Sequence, residues 1–331
     1  MKSSDDVTLY VYITYFENSK SNIKAKNNRF KYLANLLLSI AYISVKEVHV
    51  KIFTNSISNE LTNILDPIKA KESTQSTAEI IHIDQSKLRN NLGEFEPHLL
   101  TWAHKDSLKK DFINSRENSY FLYLEDDAIF TQSNLEYFMS KREELRGIGL
   151  IPSFLRVEWS CIHSDWINSD SFERLPNALS KNLLYHEDHV YMEVRNPYCA
   201  LILLDKELAE EYLNSESSKV ETARLKHDFI WDTAATSALG LIAEKIPHGH
   251  SSRTVVGLGS QTMLPLIGSI VRHQGDKYGN EIWWKHFRAF DDNSKPTLPI
   301  PKRSFLEMFK RVWRDPMILK NQLITFFQSN K

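Results

Sequence analysis

An apolar run that ends in three consecutive acids most constrains what this chain can fold into. Residues 120–124 read Tyr-Phe-Leu-Tyr-Leu, and Glu125, Asp126 and Asp127 follow directly. Five apolar and aromatic residues in a row are typical of a central strand covered on both faces, whereas three acids are not buried together unless a cation or a polar ligand meets them. The sequence therefore predicts a buried strand that delivers carboxylates to the edge of a sheet.

Side-chain alternation divides these acids into two groups. In an extended chain Glu125 and Asp127 point one way and Asp126 points the other. Two oxygen donors on one side suit Mg²⁺ or Mn²⁺, which bind few protein carboxylates and complete their shells with water and substrate phosphates. The pattern predicts Glu125 and Asp127 as metal ligands. The alternative is that the acids cap a helix predicted over 132–145.

Strand-like and helix-like segments alternate through the first half of the chain. Strand patterns cover residues 7–15, 48–53, 79–83 and 120–124, and helical patterns cover 30–43 and 98–112. This alternation predicts an α/β fold with a Rossmann-like, mostly parallel central sheet and helices on both faces. Ligands of such sheets bind at the carboxyl ends of the strands. Tyr15 and Phe16, at the end of the first strand, are therefore candidates to contact a nucleotide.

Composition and charge exclude several classes of protein. The 331 residues have a formal net charge of −1 and 42% hydrophobic residues, which excludes a disordered chain and gives no sign of a nucleic-acid partner. The N-terminus has no apolar signal-peptide core and no apolar run is long enough to span a bilayer, so we expect a cytoplasmic or peripheral protein. Cys161 and Cys199 lack metal-ligand spacing and are predicted to be buried thiols.

The last thirty residues differ in charge from the rest of the chain. Residues 302–331 contain seven basic and two acidic residues, a net charge of +5, which leaves −6 for the preceding body. Aromatic and aliphatic side chains recur there at helical spacing on both sides of Pro316. The pattern predicts a linker and a basic amphipathic helical tail over 291–331. Either these helices pack on the body, or they contact an anionic membrane surface.

The order of these features resembles the GT-A superfamily of glycosyltransferases, which use nucleotide-sugar donors. Its central signature is an apolar strand that ends in an Asp-x-Asp-like motif, here residues 125–127. Three later segments are also similar to the superfamily: 196–207 to the strand and helix before the catalytic acid, 227–232 to the acidic motif at a helix start in inverting members, and 271–276 to the late histidine segment. The similarity covers about residues 7–280. Two positions depart from the pattern, since Glu125 stands where Asp is usual and His227 stands where Glu is common.

The resemblance implies roles for individual residues. It implies an inverting enzyme in which Asp228 is the general base, with Asp232, four residues later, as the alternative base. An ordinary helix N-cap is the other interpretation of Asp228. The resemblance also implies His273 as a further metal ligand beside Glu125 and Asp127.

Donor binding is predicted for residues near the same sheet edge and for nearby cations. The residues predicted to contact the donor or its metal are Tyr15, Phe16, Lys105, Glu125, Asp126 and Arg272. Tryptophans such as Trp159 and Trp166 line the sugar pocket or belong to the core. Arg156 and Glu158 share one face of a strand, where they contact the acceptor or form an ordinary surface ion pair.

The resemblance implies transfer of a sugar from a nucleotide-sugar donor to a glycan or lipid-linked saccharide acceptor, with Mn²⁺ or Mg²⁺, in bacterial cell-surface polysaccharide or lipopolysaccharide synthesis. Residues 1–150 would bind the donor and end in the acidic metal motif, and 151–290 would form the acceptor-binding and catalytic half of the same sheet. The alternatives are another metal-dependent phosphoryl enzyme, such as a sugar nucleotidyltransferase or phosphodiesterase, and a non-catalytic carbohydrate-binding protein. The former needs a glycine-rich phosphate loop after the first strand, and none follows Tyr15.

Overall fold

The computed structural model describes residues 4–18, 23–70, 76–90, 92–161, 164–169, 179–194, 197–226 and 233–275. Within these ranges the strands are β1 (Thr8–Tyr15), β2 (Glu47–Thr54), β3 (Thr77–His82), β4 (Ser119–Glu125), β5 (Ala128–Ile129), β6 (Ile151–Pro152), β7 (Leu155–Ser160), β8 (Asp165–Asn168), β9 (Leu179–His186), β10 (His189–Val194), β11 (Leu201–Asp205), β12 (Thr254–Leu258) and β13 (Ile270–His273). The α-helices are α1 (Ile23–Ala41), α2 (Asn59–Asn63), α3 (Asp66–Lys69), α4 (Lys105–Asn114), α5 (Gln132–Leu145), α6 (Lys206–Leu213), α7 (Val220–Lys226) and α8 (Thr233–Leu239). Short 3-10 helices lie at Ser4–Asp6, Gln85–Lys87, Pro97–Trp102, Arg146–Ile148, Glu216–Ser218 and Ile267–Ser269.

A five-stranded sheet with the strand order β11-β4-β1-β2-β3 forms the centre of the fold. β1 is parallel to β2 and to β4, β2 is parallel to β3, and β11 is antiparallel to β4. Because crossovers are right-handed, the reversal of strand order at β1 puts the helices before β2 and β3 on one face and α4 on the other. The contacts agree, since α1 contacts α3 while α4 contacts α6. The predicted α/β fold with a mostly parallel central sheet is confirmed.

Helix α1 shows how the apolar pattern builds the core. Leu33, Leu36, Leu37 and Ile40 follow the i, i+3, i+4, i+7 spacing of one helix face, and all four are fully buried. They join the central strands in one continuous hydrophobic cluster. Burial of each such side chain contributes about 1.5–3 kcal/mol. The apolar periodicity, rather than the polar first turns of α1, therefore anchors this helix to the sheet.

The segment predicted as one helix over 98–112 consists of two helices. A 3-10 helix ends at Trp102 and α4 begins at Lys105. Leu100, Trp102 and His104 are all buried, and a spacing of two residues does not fit one face of a continuous α-helix. The break allows all three side chains to reach the core.

Helix α5 begins and ends where the sequence predicts, over 132–145. Its N-cap is Thr131, whose backbone N–H donates to Oδ1 of Asn134 at 2.8 Å. The alternative in which the acids cap this helix is therefore wrong. Nδ2 of Asn134 donates to the carbonyl oxygens of Gly268 and Ile270, each at 2.8 Å. One side chain thus fixes α5 against the segment that enters β13.

The second half of the chain adds one strand, β11, to the central sheet and otherwise forms two separate four-stranded sheets. Their strand orders are β6-β12-β10-β9 and β5-β13-β7-β8. We expected 151–290 to continue the central sheet, but in the described part of this region only β11 does so. Within one of these sheets, two residues, Glu187 and Asp188, connect β9 to β10, and so short a connection permits only antiparallel pairing of these two strands.

Three sequence predictions concern residues outside the described ranges. These are the candidate bases Asp228 and Asp232 and the tail over 291–331. Of the cysteines, Cys199 is buried as predicted, but Cys161 is exposed, because it follows the last residue of β7 and leaves the sheet. Across the described residues, no helix combines the length and the apolar character needed to cross a membrane.

Candidate active site

The three acids lie at the carboxyl end of β4, in the middle of the central sheet. Glu125 is the last residue of β4, and its Cα is paired with that of Thr14 near the end of β1. Asp126 and Asp127 form the turn before β5. As predicted, a buried strand therefore carries the carboxylates to this edge of the sheet.

Asp126 forms an ion pair with Arg29 of α1. Nε of Arg29 donates to Oδ2 of Asp126 at 2.9 Å, and Nη2 contacts the other carboxylate oxygen. Burial raises the pKa of Asp126, while the charge of Arg29 opposes that rise. Since Arg29 occupies both oxygens of a side chain that is 1% exposed, Asp126 serves to fix the turn to α1. Arg29 thus contacts both carboxylate oxygens, and the predicted contact of Asp126 with a cofactor stays a prediction.

Asp127 is held from the opposite side by His273 of β13. Nε2 of His273 lies 2.9 Å from Oδ2 of Asp127, and its Nδ1 hydrogen-bonds to the carboxylate of Glu158 in β7. Burial alone lowers the pKa of His273, but the two carboxylates outweigh it and raise the pKa to about 9. Burial likewise raises the pKa of Asp127, but the bond to His273 brings it below the ordinary aspartate value. The other oxygen of Asp127, Oδ1, is buried and has no hydrogen-bond partner.

Glu125 contacts a third set of residues. The hydroxyl of Tyr198 donates to its Oε1 at 2.7 Å. Burial and the nearby charge of Asp127 raise the pKa of Glu125 to about 7, against the opposing charge of Arg156. The Arg156 guanidinium lies over the Tyr198 ring, 5.1 Å from its centroid. Glu125 and Asp127 thus interact electrostatically with each other, and both interact with the buried Arg156.

These side chains fit a divalent ion held by two carboxylates better than one held by three protein ligands. The structure brings the predicted ligands Glu125, Asp127 and His273 together, but both ring nitrogens of His273 face carboxylates. In the described part of the chain, no group of three or more His, Cys, Asp or Glu side chains has an arrangement that could hold a metal ion. A buried carboxylate oxygen without a partner, beside a second carboxylate whose pKa it helps to raise, suits a cation that takes its remaining ligands from water and phosphate.

Tyr15 and Phe16 lie at the same sheet edge as the acids, as predicted. Tyr15 is 6% exposed, and burial together with the charge of Asp126 raises its pKa to about 12. Phe16 is half-buried against the core. Their proximity to the acids agrees with a nucleotide-binding role, which stays a prediction.

Lys105 is placed differently from the prediction. Its ammonium group lies 5.1 Å from the ring centroid of Trp102 and 4.6 Å from that of Tyr212, and it donates to the Tyr212 hydroxyl and to the Ser237 carbonyl. Burial lowers its pKa well below the usual lysine value. The described contacts of the Lys105 amine thus lie inside the protein, on the α4 face, and its contact with the donor stays a prediction.

Arg272 is also turned away from the acids. Neighbouring residues of a strand face opposite sides, so the inward position of His273 directs Arg272 outward. Arg272 is exposed, and its guanidinium lies 6.0 Å from the ring centroid of Trp166, which in turn contacts Trp159 edge to face at 5.5 Å. The predicted contact of Arg272 with the donor phosphates does not agree with this orientation.

Sequence reasoning missed two partners of the acids, Arg29 and Tyr198. For two further residues near the acids it predicted the position but not the burial. Arg156 and Glu158 were predicted to share a face of one strand, which is correct, but the surface ion pair considered for them is wrong because they are 5% and 0% exposed. The usable signal was the acid triplet itself, since buried carboxylates require cations and donors. No local pattern marks which distant residue supplies them.

No protein-family model and no curated protein sequence matches this chain. Its structure is similar to that of TarS from S. aureus, with 12% identity and a TM-score of 0.36, over 62% of this chain and 29% of that one. A structure of TarS residues 1–349 in complex with UDP-GlcNAc matches with 12% identity and a TM-score of 0.34, over 62% of this chain and 47% of that one. The chain thus spans less than half the length of these proteins.

Two further solved structures represent two different reactions. The galactosyltransferase LgtC, in complex with donor and acceptor sugar analogs, matches at 10% identity and a TM-score of 0.34, over 69% of this chain and 68% of that one. The inositol-1-phosphate CTP transferase from T. maritima matches at 11% identity and a TM-score of 0.33, over 63% and 74%. The similar structures therefore include both a galactosyltransferase and a nucleotidyltransferase.

Proposed function

We propose that this protein is a GT-A-like glycosyltransferase that uses a nucleotide-sugar donor and depends on Mn²⁺ or Mg²⁺. The observation that carries the proposal is the acidic turn at the carboxyl end of β4, where Asp127 keeps one buried oxygen without a hydrogen-bond partner beside Glu125. Ligands of α/β sheets bind at this edge. A nucleotide diphosphate with a divalent ion has the charge and the oxygen donors that such a turn would complete.

Neighbouring side chains fix the orientation of the three acids in this turn. Arg29 neutralises Asp126 and joins the turn to α1, while Tyr198 orients Glu125 and His273 orients Asp127. The ion, when bound by Glu125 and Asp127, would offset the negative charge that develops on the diphosphate as the sugar leaves.

The acceptor and the cellular role extend the proposal. We further propose a glycan or lipid-linked saccharide as acceptor, bacterial cell-surface polysaccharide or lipopolysaccharide synthesis as the pathway, and a cytoplasmic location, with the tail as the contact to the inner face of the plasma membrane. An inverting reaction needs a base for the acceptor hydroxyl, and Asp228 or Asp232 is proposed for it.

The test of this function is the Asp127→Ala variant in calorimetric titrations with UDP and with GDP, with and without Mn²⁺. We expect Asp127→Ala to abolish the metal-dependent part of nucleotide binding, because the phosphate charge would no longer be neutralised. Asp111→Asn is the matched control, since Asp111 is a paired carboxylate on the same sheet face as Lys105 and hydrogen-bonds to Tyr12 and Lys51 instead. Metal-dependent binding that is equally strong in Asp127→Ala and in the control would contradict the metal assignment.

A second assay separates glycosyl transfer from nucleotidyl transfer. The protein is incubated with nucleotide sugars in one arm, and with a nucleoside triphosphate plus a sugar 1-phosphate in the other. We expect release of nucleoside diphosphate in the first arm. Release of pyrophosphate in the second arm would identify a nucleotidyltransferase, and nucleotide binding without turnover in either arm would identify a non-catalytic protein.

A further inference from the structure

Glu158 is buried at one end of a chain of three side chains from three parts of the fold, with His273 at its centre. It is 0% exposed, lies in β7 and hydrogen-bonds to Nδ1 of His273 in β13. The other ring nitrogen of His273 contacts Oδ2 of Asp127, 2.9 Å away, in the turn after β4. Asp127 Oδ1 stands at the end of this chain without a partner. The two oxygens of Asp127 thus differ: Oδ2 contacts His273, whereas Oδ1 has no hydrogen-bond partner.

The backbone around Asp127 is fixed by other bonds. The Gln274 N–H donates to the carbonyl oxygen of Asp127 at 2.8 Å, and the Gln274 side chain binds both Asn35 Nδ2 and the Tyr32 carbonyl of α1 at 2.9 Å. β13 also pairs directly with β5 and β7. Glu158 is therefore not needed to bring His273 near Asp127. What it does fix is the orientation of the imidazole and, through it, that of the carboxylate.

We propose that Glu158 is a positioning residue for the divalent ion of the proposed glycosyltransferase: it holds His273 against Oδ2 of Asp127, so that Oδ1 is directed to the ion and His273 itself is not a ligand. This inference rests on the proposed function. Carboxylate–histidine pairs next to metal ligands orient those ligands, and loss of such a partner lowers metal affinity about 10–100-fold. In this protein the histidine would not bind the ion itself, because it lies between the carboxylates of Asp127 and Glu158.

The chain offers a matched control for the effect of a buried carboxylate–histidine pair as such. Glu193 of β10 is 2% exposed and its Oε1 lies 3.0 Å from Nδ1 of His250. Glu193 belongs to the sheet with the order β6-β12-β10-β9, which does not contain the acidic turn, and His250 lies in the loop before β12. Glu193→Gln therefore removes a comparable charge from a comparable environment without touching Asp127.

The experiment measures Mn²⁺ binding by the full chain, with Mn²⁺ alone and with Mn²⁺ plus UDP, from the electron paramagnetic resonance signal of free Mn²⁺. We expect Glu158→Gln to lower Mn²⁺ affinity about 10–100-fold and Glu193→Gln to leave it unchanged, with thermal unfolding measured for both. Electron spin-echo modulation of Mn²⁺ on the unchanged protein is the second readout. We expect no coupling to a directly bound imidazole nitrogen.

The outcomes separate the two proposals. If the unchanged protein binds no Mn²⁺, with or without UDP, the proposed function and this inference both fail. If it binds Mn²⁺ but Glu158→Gln has the affinity of the unchanged protein, or the spin echo shows a bound imidazole nitrogen, then the positioning role is wrong while the proposed function stands. The spin-echo result applies even if Glu158→Gln does not fold.

Discussion

Each of the three consecutive acids is contacted by a different part of the fold. Asp126 pairs with Arg29 of α1, Glu125 accepts from Tyr198, and Asp127 contacts His273 of β13. Removing one partner of a buried ion pair typically costs about 3–5 kcal/mol, because the remaining charge stays in the interior. Substitutions in this turn therefore affect stability as well as ligand binding, and variants need both measurements.

Asp228 is the residue at which the proposed chemistry is most directly tested. We expect Asp228→Asn to keep nucleotide binding and to lower kcat about a hundredfold or more, since a general base contributes about 10²–10⁴-fold. Asp232→Asn is made in parallel, and steady-state rates with a nucleotide sugar are compared. A large loss in Asp232→Asn alone would transfer the role of base to Asp232. Full activity in both variants would rule out either residue as the base of an inverting reaction.

The buried side chain of His104 predicts a pH dependence of stability. It is 0% exposed, its ring stacks on Tyr123 at 4.0 Å, and Nδ1 contacts the Thr101 carbonyl. Burial and the neighbouring Lys105 lower its pKa well below the usual value. The folded protein therefore keeps His104 neutral, while the unfolded chain takes up a proton below about pH 6.5. Stability is consequently lost as the pH falls through that value.

The His104→Phe variant measures this effect, because phenylalanine keeps the stacked ring and does not titrate. Between pH 7 and pH 5 we expect the unchanged protein to lose about 2 kcal/mol more unfolding free energy than the variant, at about 1.4 kcal/mol per pH unit below the unfolded pKa. Urea unfolding at several pH values gives both curves. Curves that stay parallel over this interval would show that His104 is protonated in the folded protein.

At the scale of elements, β13 joins the two halves of the site. It pairs with β5, which follows the acids, and with β7, which carries Glu158. A short 3-10 helix, Ile267–Ser269, leads into it and packs on α5. A Cβ at Gly268 would lie 2.5 Å from the carbonyl oxygen of Ser133. The glycine is required there because the two backbones approach too closely for a side chain.

Gly268→Ala is therefore predicted to destabilise the protein by about 1–3 kcal/mol, the usual cost of overpacking. Gly147→Ala is the control: a Cβ there meets nothing within 4 Å, and the exposed substitution is expected to be neutral or slightly stabilising. Urea unfolding of both variants makes the comparison. Equal stability of Gly268→Ala and Gly147→Ala would mean that the 3-10 helix shifts freely away from α5.

At the scale of the whole molecule, the charge is unevenly distributed along the chain. Residues 302–331 carry +5 and the preceding body carries −6. Basic residues interspersed with aromatic ones at helical spacing are typical of segments that bind anionic membrane surfaces. The acidic body would be repelled by such a surface, so the tail would have to supply the attraction.

Deleting residues 303–331 tests this distribution. We expect the truncated protein to keep its activity on a short soluble acceptor and to lose co-sedimentation with vesicles that contain anionic lipid. High salt should weaken binding of the full chain, because surface charges are screened beyond about 8–10 Å at physiological ionic strength. Vesicles of phosphatidylcholine alone are the control. If the truncated protein aggregates and the full chain does not bind anionic vesicles, the tail packs on the body.

The sequence by itself determined the fold class, the position of the acids and the bounds of α5. Each depends on local patterns: an apolar run for β4, helical periodicity for α1, and strand alternation that separates Asp126 from its two neighbours. Such local patterns can be recognised in a single sequence because the backbone geometry of helices and strands alone sets their period.

Only the tertiary structure decided which residues meet the acids. Arg29 lies 97 positions from Asp126 and Glu158 lies 115 positions from His273, and neither distance has a sequence signature. The same holds for Lys105 and Arg272, whose charge suggested phosphate contacts. In the folded protein Lys105 lies against the ring of Tyr212, and Arg272 lies over the ring of Trp166. A charged side chain is assigned its role by what surrounds it after the chain has folded, because burial and neighbouring charges set the energy of each ionised group.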